Sequence, residues 1–220
     1  MKSGLYYPNR FVLLTLQAME EVVGSSGMKS VYNLSGLSDL AQNLPPDNME
    51  RQFDFSDFSQ LFETLSSLFG PNGARSLAIR AGRSAMQEGI RVFRNTMSLP
   101  PEVTQYQTLE QHILIRLNRF SNFLNTVSDQ QTSVYRFEGT EGFEFRVRRC
   151  PVCWGRSSAA PVCAFIEGML VHAAEAFSGG RPFSVSEFAC AASGADSCLF
   201  IIQKKDDLNQ VIQGYIQESD

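Results

Sequence analysis

The hydrophobic period of this chain changes once, near residue 130, and that change limits the folds open to it. Before the change, apolar residues recur in steps of three and four; after it they alternate. In "PNRFVLLTLQAMEEVVG", Phe11, Leu14, Ala18 and Val22 form a helical stripe that stops at Gly24. "SGLSDLAQNLPPDN" gives a short helical piece broken at Pro45 and Pro46. "DFSDFSQLFETLSSLFG" places Phe58, Leu61, Phe62, Leu65 and Phe69 on one face and ends at Gly70, a natural C-cap. "PNGARSLAIRAGRSAMQEGIRVFRNTM" then starts a new helix near Pro71. Gly82 and Gly89 inside it each cost about 1 kcal/mol relative to Ala, which close approach of another backbone would explain. "TLEQHILIRLNRFSNFLNTV" is the clearest helix, with Leu109, Ile113, Leu117, Phe120 and Leu124 on one stripe.

Beyond the change, "SVYRFEGTEGFEFRVRRC" reads as two strands around a turn. Val134, Tyr135 and Phe137 precede the turn, and Phe143, Phe145 and Val147 follow it. "PVCAFIEGMLVHAAEAFSG" returns to helix, "FSVSEFACAASGADSCLFII" gives a second hairpin, and "DDLNQVIQGYIQ" predicts a closing helix. The order predicts an α+β fold, with helices packed on a four-stranded antiparallel sheet. A helical part over residues 1–128 and an α+β segment over 129–220 would form one continuous compact domain. A chain of 220 residues buries roughly two thirds or more of its unfolded surface, so no disulfide is needed to hold a core.

Composition removes several function classes. A formal charge of −4 provides no basic footprint for nucleic acid. The apolar runs "FVLLTLQAM" and "AAPVCAFIEGMLVHAAEAF" fall short of the roughly 20 successive apolar residues of a membrane span. "MKSGLYYPNR" lacks the apolar core and cleavage site of a secretory signal, so a cytoplasmic location is expected. The five cysteines are odd in number and all lie between residues 150 and 198, unlike a secreted disulfide framework. Seventeen phenylalanines against one tryptophan suit a deep apolar interior.

The cysteines carry the most specific chemistry. If the second hairpin turns through Ser193, Gly194 and Ala195, Cys190 lies across from Cys198, with Cβ atoms about 4.5–5.5 Å apart. One ion could then meet both sulfurs, and Cys163, arriving from the preceding helix, could add a third. Glu187 is three residues from Cys190 and would point to the opposite face of a regular strand. It joins the group only through a bulge or a strand end. Three thiolates and a carboxylate suit tetrahedral zinc. The alternative is that these cysteines are small buried hydrophobes. In "RRCPVCWGR", Cys150 and Cys153 form a CxxC that could hold a metal or a redox pair, or simply turn the chain from strand to helix. A thioredoxin-like role fits poorly, because no βαβ pattern surrounds it. His112 and His172 fall in helices without a nucleophilic motif nearby. "FGPNGARSLAIRAG" could hold an anion at a helix start, but a helix cap explains it more simply.

"VCAFIEGMLVHAAEAFSGG" followed by "VSEFACAASGADSCLFII" resembles the 4-vinyl reductase domain, a family of small-molecule-binding domains named for a bacteriochlorophyll-biosynthesis protein. The likeness spans residues 130–205 and rests on Cys163, Gly168, Glu187, Cys190, Gly194, Cys198 and Phe200. It implies a TRAPP-like fold, the ligand-binding fold of NO-signalling and Golgi-transport proteins, and a homodimer. The domain also resembles sensors of phenol-like effectors, in which a Cys, a Glu and two further Cys hold zinc. Carried over by position, the ligands are Cys163, Glu187, Cys190 and Cys198. Cys150 and Cys153 are not in that set, which leaves a further or different metal centre open.

The resemblance implies binding or delivery of a tetrapyrrole, such as a bacteriochlorophyll precursor, or of an aromatic compound. The candidate pocket residues are Phe120, Phe123, Tyr135, Trp154, Phe165 and His172. A true vinyl reductase would need a source of electrons, and no nicotinamide or flavin fingerprint is present, so an accessory role is the better reading of the family name. A structural assembly subunit with no ligand is the remaining alternative.

Overall fold

The computed structural model describes residues 2–97, 108–137 and 142–205. Helix α1 (Asn9–Leu34) leaves helical geometry at Gly24, φ 74°, and α2 (Phe55–Val92) does so at Gly70, φ 69°. Glycine takes this region without the Cβ clash that other residues meet. Each stop read from the sequence is therefore a break between two helical runs, and Pro71 opens the second run of α2. A short α3 (Arg94–Met97), α4 (Leu109–Val127) and α5 (Ala164–Phe177) complete the helices among the described residues. Thr108 and Gln111 close a reciprocal capping box on α4. "SDLA" forms a single 3-10 turn.

Two short strands were not visible in the hydrophobic pattern. Strands β1 (Tyr6–Pro8) and β2 (Arg51–Asp54) pair antiparallel in a small separate sheet. At three and four residues they are too short to show alternation. They bring the N-terminal segment onto the start of α2. There Asp54 caps the helix and accepts hydrogen bonds from the N–H groups of Ser3 (3.0 Å), Gly4 (3.1 Å) and Ser56 (2.8 Å).

The main sheet is antiparallel in the order β3-β4-β6-β5, from β3 (Thr132–Arg136), β4 (Phe143–Val147), β5 (Phe183–Ala189) and β6 (Cys198–Lys204). This is the four-stranded sheet expected from the sequence. Its register aligns Phe145 with Phe200, Val147 with Cys198, and Glu187 with Phe200. One face of the sheet therefore carries Phe145, Phe200, Cys198 and Glu187 together. Helix α5 lies against β5 and β6, α2 packs across α5, and α1 packs on α2.

The α2–α5 crossing is held by two glycines. A Cβ on Gly82 would stand 2.0 Å from the Phe165 carbonyl oxygen, and one on Gly168 would stand 2.1 Å from that of Ile79. The close approach expected at Gly82 is present. Gly89 is different: nothing lies within 4 Å of its would-be Cβ, because it borders a cavity. The helix predicted over "DDLNQVIQGYIQ" and most of the "EGTEG" turn lie outside the described residues. No helix among the described residues is long and apolar enough to cross a membrane.

Two outcomes follow from this packing. Gly168→Ala should cost at least the ~1–3 kcal/mol of ordinary overpacking, because backbone atoms block the new methyl group. Gly89→Ala should be neutral or gain up to ~1 kcal/mol. Urea denaturation of both variants checks the contrast, and equal midpoints would contradict it. At Asp54, burial opposes ionisation, but the hydrogen bonds from Ser3, Ser56 and Gly4 outweigh it and hold the carboxyl at about 2. Its folded pKa lies below its unfolded one. The stabilisation is thus full above the ordinary aspartate range and is lost as pH falls towards 2. Acid unfolding of Asp54→Asn should accordingly be less steep than that of the parent.

Candidate metal centre and apolar cavity

All five cysteines meet in one buried cluster. Cys150 and Cys153 come from the loop after β4, Cys163 caps the N-terminus of α5, Cys190 follows β5, and Cys198 opens β6. None is in a disulfide, and all are buried. The Sγ–Sγ distances are 3.5 Å for Cys150–Cys163, 3.4 Å for Cys153–Cys198, 3.8 Å for Cys163–Cys190, 3.7 Å for Cys163–Cys198 and 3.9 Å for Cys190–Cys198. A tetrahedron with zinc–sulfur bonds of about 2.3 Å has edges of about 3.8 Å. The sulfurs are spaced to match.

Glu187 reaches the cluster by the irregularity that its spacing demanded. The β5–β6 register shifts between Glu187 and Ala189, so Phe188 bulges out and the chain returns inward at Cys190. Gly194, φ 95°, turns the hairpin where expected. Glu187 Oε2 accepts from the Cys163 N–H at 2.6 Å, whereas its buried Oε1 has no partner. Burial and the neighbouring Cys190 push this carboxyl up to about 9. Burial likewise pushes the Cys150 and Cys163 thiols up. A bound cation would supply the missing partner and reverse the cost of charge on all of them. Two sets of four ligand atoms lie within 4.8 Å of one another: Cys150, Cys153, Cys163 and Cys198; and Cys163, Glu187, Cys190 and Cys198. The second is the set implied by the resemblance.

The position of Glu187 depends on residues that the sequence did not single out. Its backbone N–H donates to Glu167 Oε1 on α5 at 2.8 Å, and Arg75 of α2 pairs with Glu167 at 2.8 Å. Glu167 is buried, so its charge is tolerated because Arg75 and the strand N–H answer it. Only the Glu-x-x-Cys spacing hinted that a second acid would be needed to hold the first.

Beneath the cluster lies apolar space. One cavity of about 430 Å³, open mouth included, is lined by Tyr7, Phe11, Phe93, Phe120, Phe123, Phe165 and Met169 among others. A second, of about 350 Å³, shares Tyr7, Phe120, Leu124, Phe165 and Met169 with it and adds Gln130, Pro151 and Val152. Pro151 and Val152 are the two residues inside the CxxC, so the cavity wall and the cysteine loop are one structure. Phe11, Phe93 and Phe123 pack together at the mouth with ring centroids 5.0–5.7 Å apart. The polar groups are few. The Tyr7 phenol is pushed up by burial and by nearby Cys150, and Gln130 Oε1 is buried without a partner.

The structure brings Phe120, Phe123 and Phe165 together at this cavity. Trp154 stacks edge-on to Phe55 and lines a different, open pocket of about 580 Å³ with Arg148, Cys150, Cys153 and Arg156. Tyr135 is 56% exposed on the edge strand β3 and stands away from the cavity. His172 is half-buried on α5 near Arg83 and Glu175, which, with burial, leave its pKa lowered, and it lines neither cavity.

Residues 143–204 match the family model of the 4-vinyl reductase domain, in agreement with the resemblance carried by the cysteine–glutamate pattern. No curated protein matches the sequence. The fold is similar to that of an H-NOX protein from S. oneidensis in the Fe(II)NO ligation state. They share 16% identity with a TM-score of 0.52, over 87% of this chain and 97% of that one. It is also similar to an H-NOX from T. Tengcongensis, at 11% identity and a TM-score of 0.56 over 89% and 96%. A third H-NOX structure, from work on heme distortion in that family, shares 10% identity with a TM-score of 0.55 over 89% and 93%. At these identities the likeness is one of α+β fold.

Heme does not fit the residues present. Heme iron is usually held by a histidine, cysteine or tyrosine side chain, or by a methionine paired with a histidine. No histidine or cysteine among the described residues lines the larger cavity, so its Met86 and Met169 have no such partner. Its Tyr7 phenol is held protonated, and its space is divided by phenylalanine rings.

Arg75→Ala should leave Glu167 without its cation and loosen the strand that carries Glu187. The expected cost is roughly 1–3 kcal/mol, the penalty for orphaning a buried acceptor. An unchanged denaturation midpoint would remove Glu167 from this role.

Proposed function

We propose that this chain is a small-molecule-binding domain that takes a compact aromatic ligand in the cavity between α1, α2, α4 and α5, beside a zinc ion of structural role. The observation that supports it most is the shared wall. The two adjoining cavities are lined by aromatic rings, carry one unpartnered buried amide oxygen at Gln130, and end on the CxxC loop of the cysteine cluster. Ligand sites of this kind are mostly apolar with a few placed polar groups. Of the two ligand classes implied by the resemblance, cavities of about 350 and 430 Å³ favour a single substituted ring over a tetrapyrrole. A phenolic hydroxyl could donate to Gln130 Oε1.

Zinc on Cys163, Glu187, Cys190 and Cys198 would tie the N-terminus of α5 to the second hairpin. Four protein ligands leave no position for substrate or activated water. The reading is therefore a binding or accessory role, as a homodimer, with the metal holding one end of the cavity.

Thermal-shift assays with simple phenols, porphyrins and chlorophyll precursors test the ligand. Phenols should stabilise the protein, by about 2.7 kcal/mol at 100 times the dissociation constant. Gln130→Leu should weaken phenol binding about fivefold, the worth of one hydrogen bond of ~1 kcal/mol, and leave a ring without hydroxyl unaffected. Flat shifts with every class would favour an assembly subunit instead.

A further inference from the structure

Both four-ligand sets are complete, and they are not rivals. They share Cys163 and Cys198 and otherwise use different residues: Cys150 and Cys153 in one, Glu187 and Cys190 in the other. The shared pair, 3.7 Å apart, is a common edge of two tetrahedra. We propose that the cluster holds two divalent metal ions, bridged by the thiolates of Cys163 and Cys198. This inference rests on the zinc reading above and adds the second ion.

A single ion in either set leaves buried chemistry unused. On the four-cysteine set, it abandons Glu187, whose Oε1 is buried and unpartnered. On the set with Glu187, it abandons Cys150 and Cys153, whose sulfurs lie 3.5 and 3.4 Å from the two bridging ones. Two ions give every thiol and the carboxylate a bond. Each ion then has two terminal ligands and two bridges, which closes both tetrahedral shells with no water.

Charge and spacing are consistent with this. Two divalent ions against five thiolates and one carboxylate leave two negative charges. Arg148 and Arg156 line the open pocket over Cys150 and Cys153, and the Ala191 N–H donates to bridging Cys198 Sγ at 3.4 Å. Ions about 2.3 Å from both bridging sulfurs stand about 3 Å apart once the shared edge shortens by a few tenths of an ångström. Bridging also lowers the charge each thiolate presents to its second ion. Binding releases the thiol protons, so loading must weaken as pH falls.

The test uses the full-length reduced protein, loaded with zinc alone and desalted, with the metal-to-protein ratio read by elemental analysis and native mass spectrometry. Two ions per chain are expected. The double variant Cys150→Ser/Cys153→Ser should retain one ion and remain folded. One ion in the parent protein overturns the second ion and leaves the zinc reading standing; none overturns both. Cadmium-113 NMR needs no variant. Two resonances split by coupling through shared sulfur are expected, and two unsplit resonances would overturn the bridge.

Discussion

The close crossing of α2 and α5 at Gly82 and Gly168 is the constraint on which the rest of the structure depends. Carbonyl oxygens occupy the space that a Cβ would need at both positions, so the two helices meet backbone to backbone. That contact sets the depth of α5 against the sheet, and with it the position of Cys163 at the helix N-terminus. It also places Phe165 against Phe62, with ring centroids 5.0 Å apart, at the side of the cavity. The ion pair of Arg75 with Glu167 spans the same two helices and continues to the Glu187 N–H. Helix packing, strand bulge and cysteine cluster are thus joined through a few contacts.

Cavity and cluster are adjacent because one loop serves both. Cys150 and Cys153 turn their sulfurs into the cluster while Pro151 and Val152 face the apolar space. A change of metal occupancy would move the cavity wall, and a ligand pressing on Val152 would press on the cluster. The geometry makes the two sites energetically linked, and linkage of this kind is reciprocal.

Much of this was legible in the sequence, for physical reasons that differ by element. Gly24 and Gly70 declared their helix breaks because no other residue takes that backbone cheaply. Glu187 declared a bulge, because Glu-x-x-Cys cannot share one face of a regular strand. The convergence of Cys150 and Cys153 on the other three cysteines was not legible. They sit in a loop without a period, and nothing local fixes where such a loop returns. Gly168 could be seen as part of a motif but not as the partner of Ile79, since close approach is a property of two segments. Gln130 and Glu167 are ordinary polar residues in sequence; only burial marks them. Tyr135 alternates like a core residue, yet its strand is an edge and its ring faces solvent.

The central claim is that the cysteine–glutamate cluster is a metal centre that fastens α5 to the sheet. Crystals of the protein purified without chelator, with diffraction recorded above and below the zinc absorption edge, test it most directly. The account predicts anomalous density within about 2.3 Å of the Cys163 and Cys198 sulfurs. A well-ordered cluster of reduced thiols in the same arrangement, with no anomalous density, would contradict it.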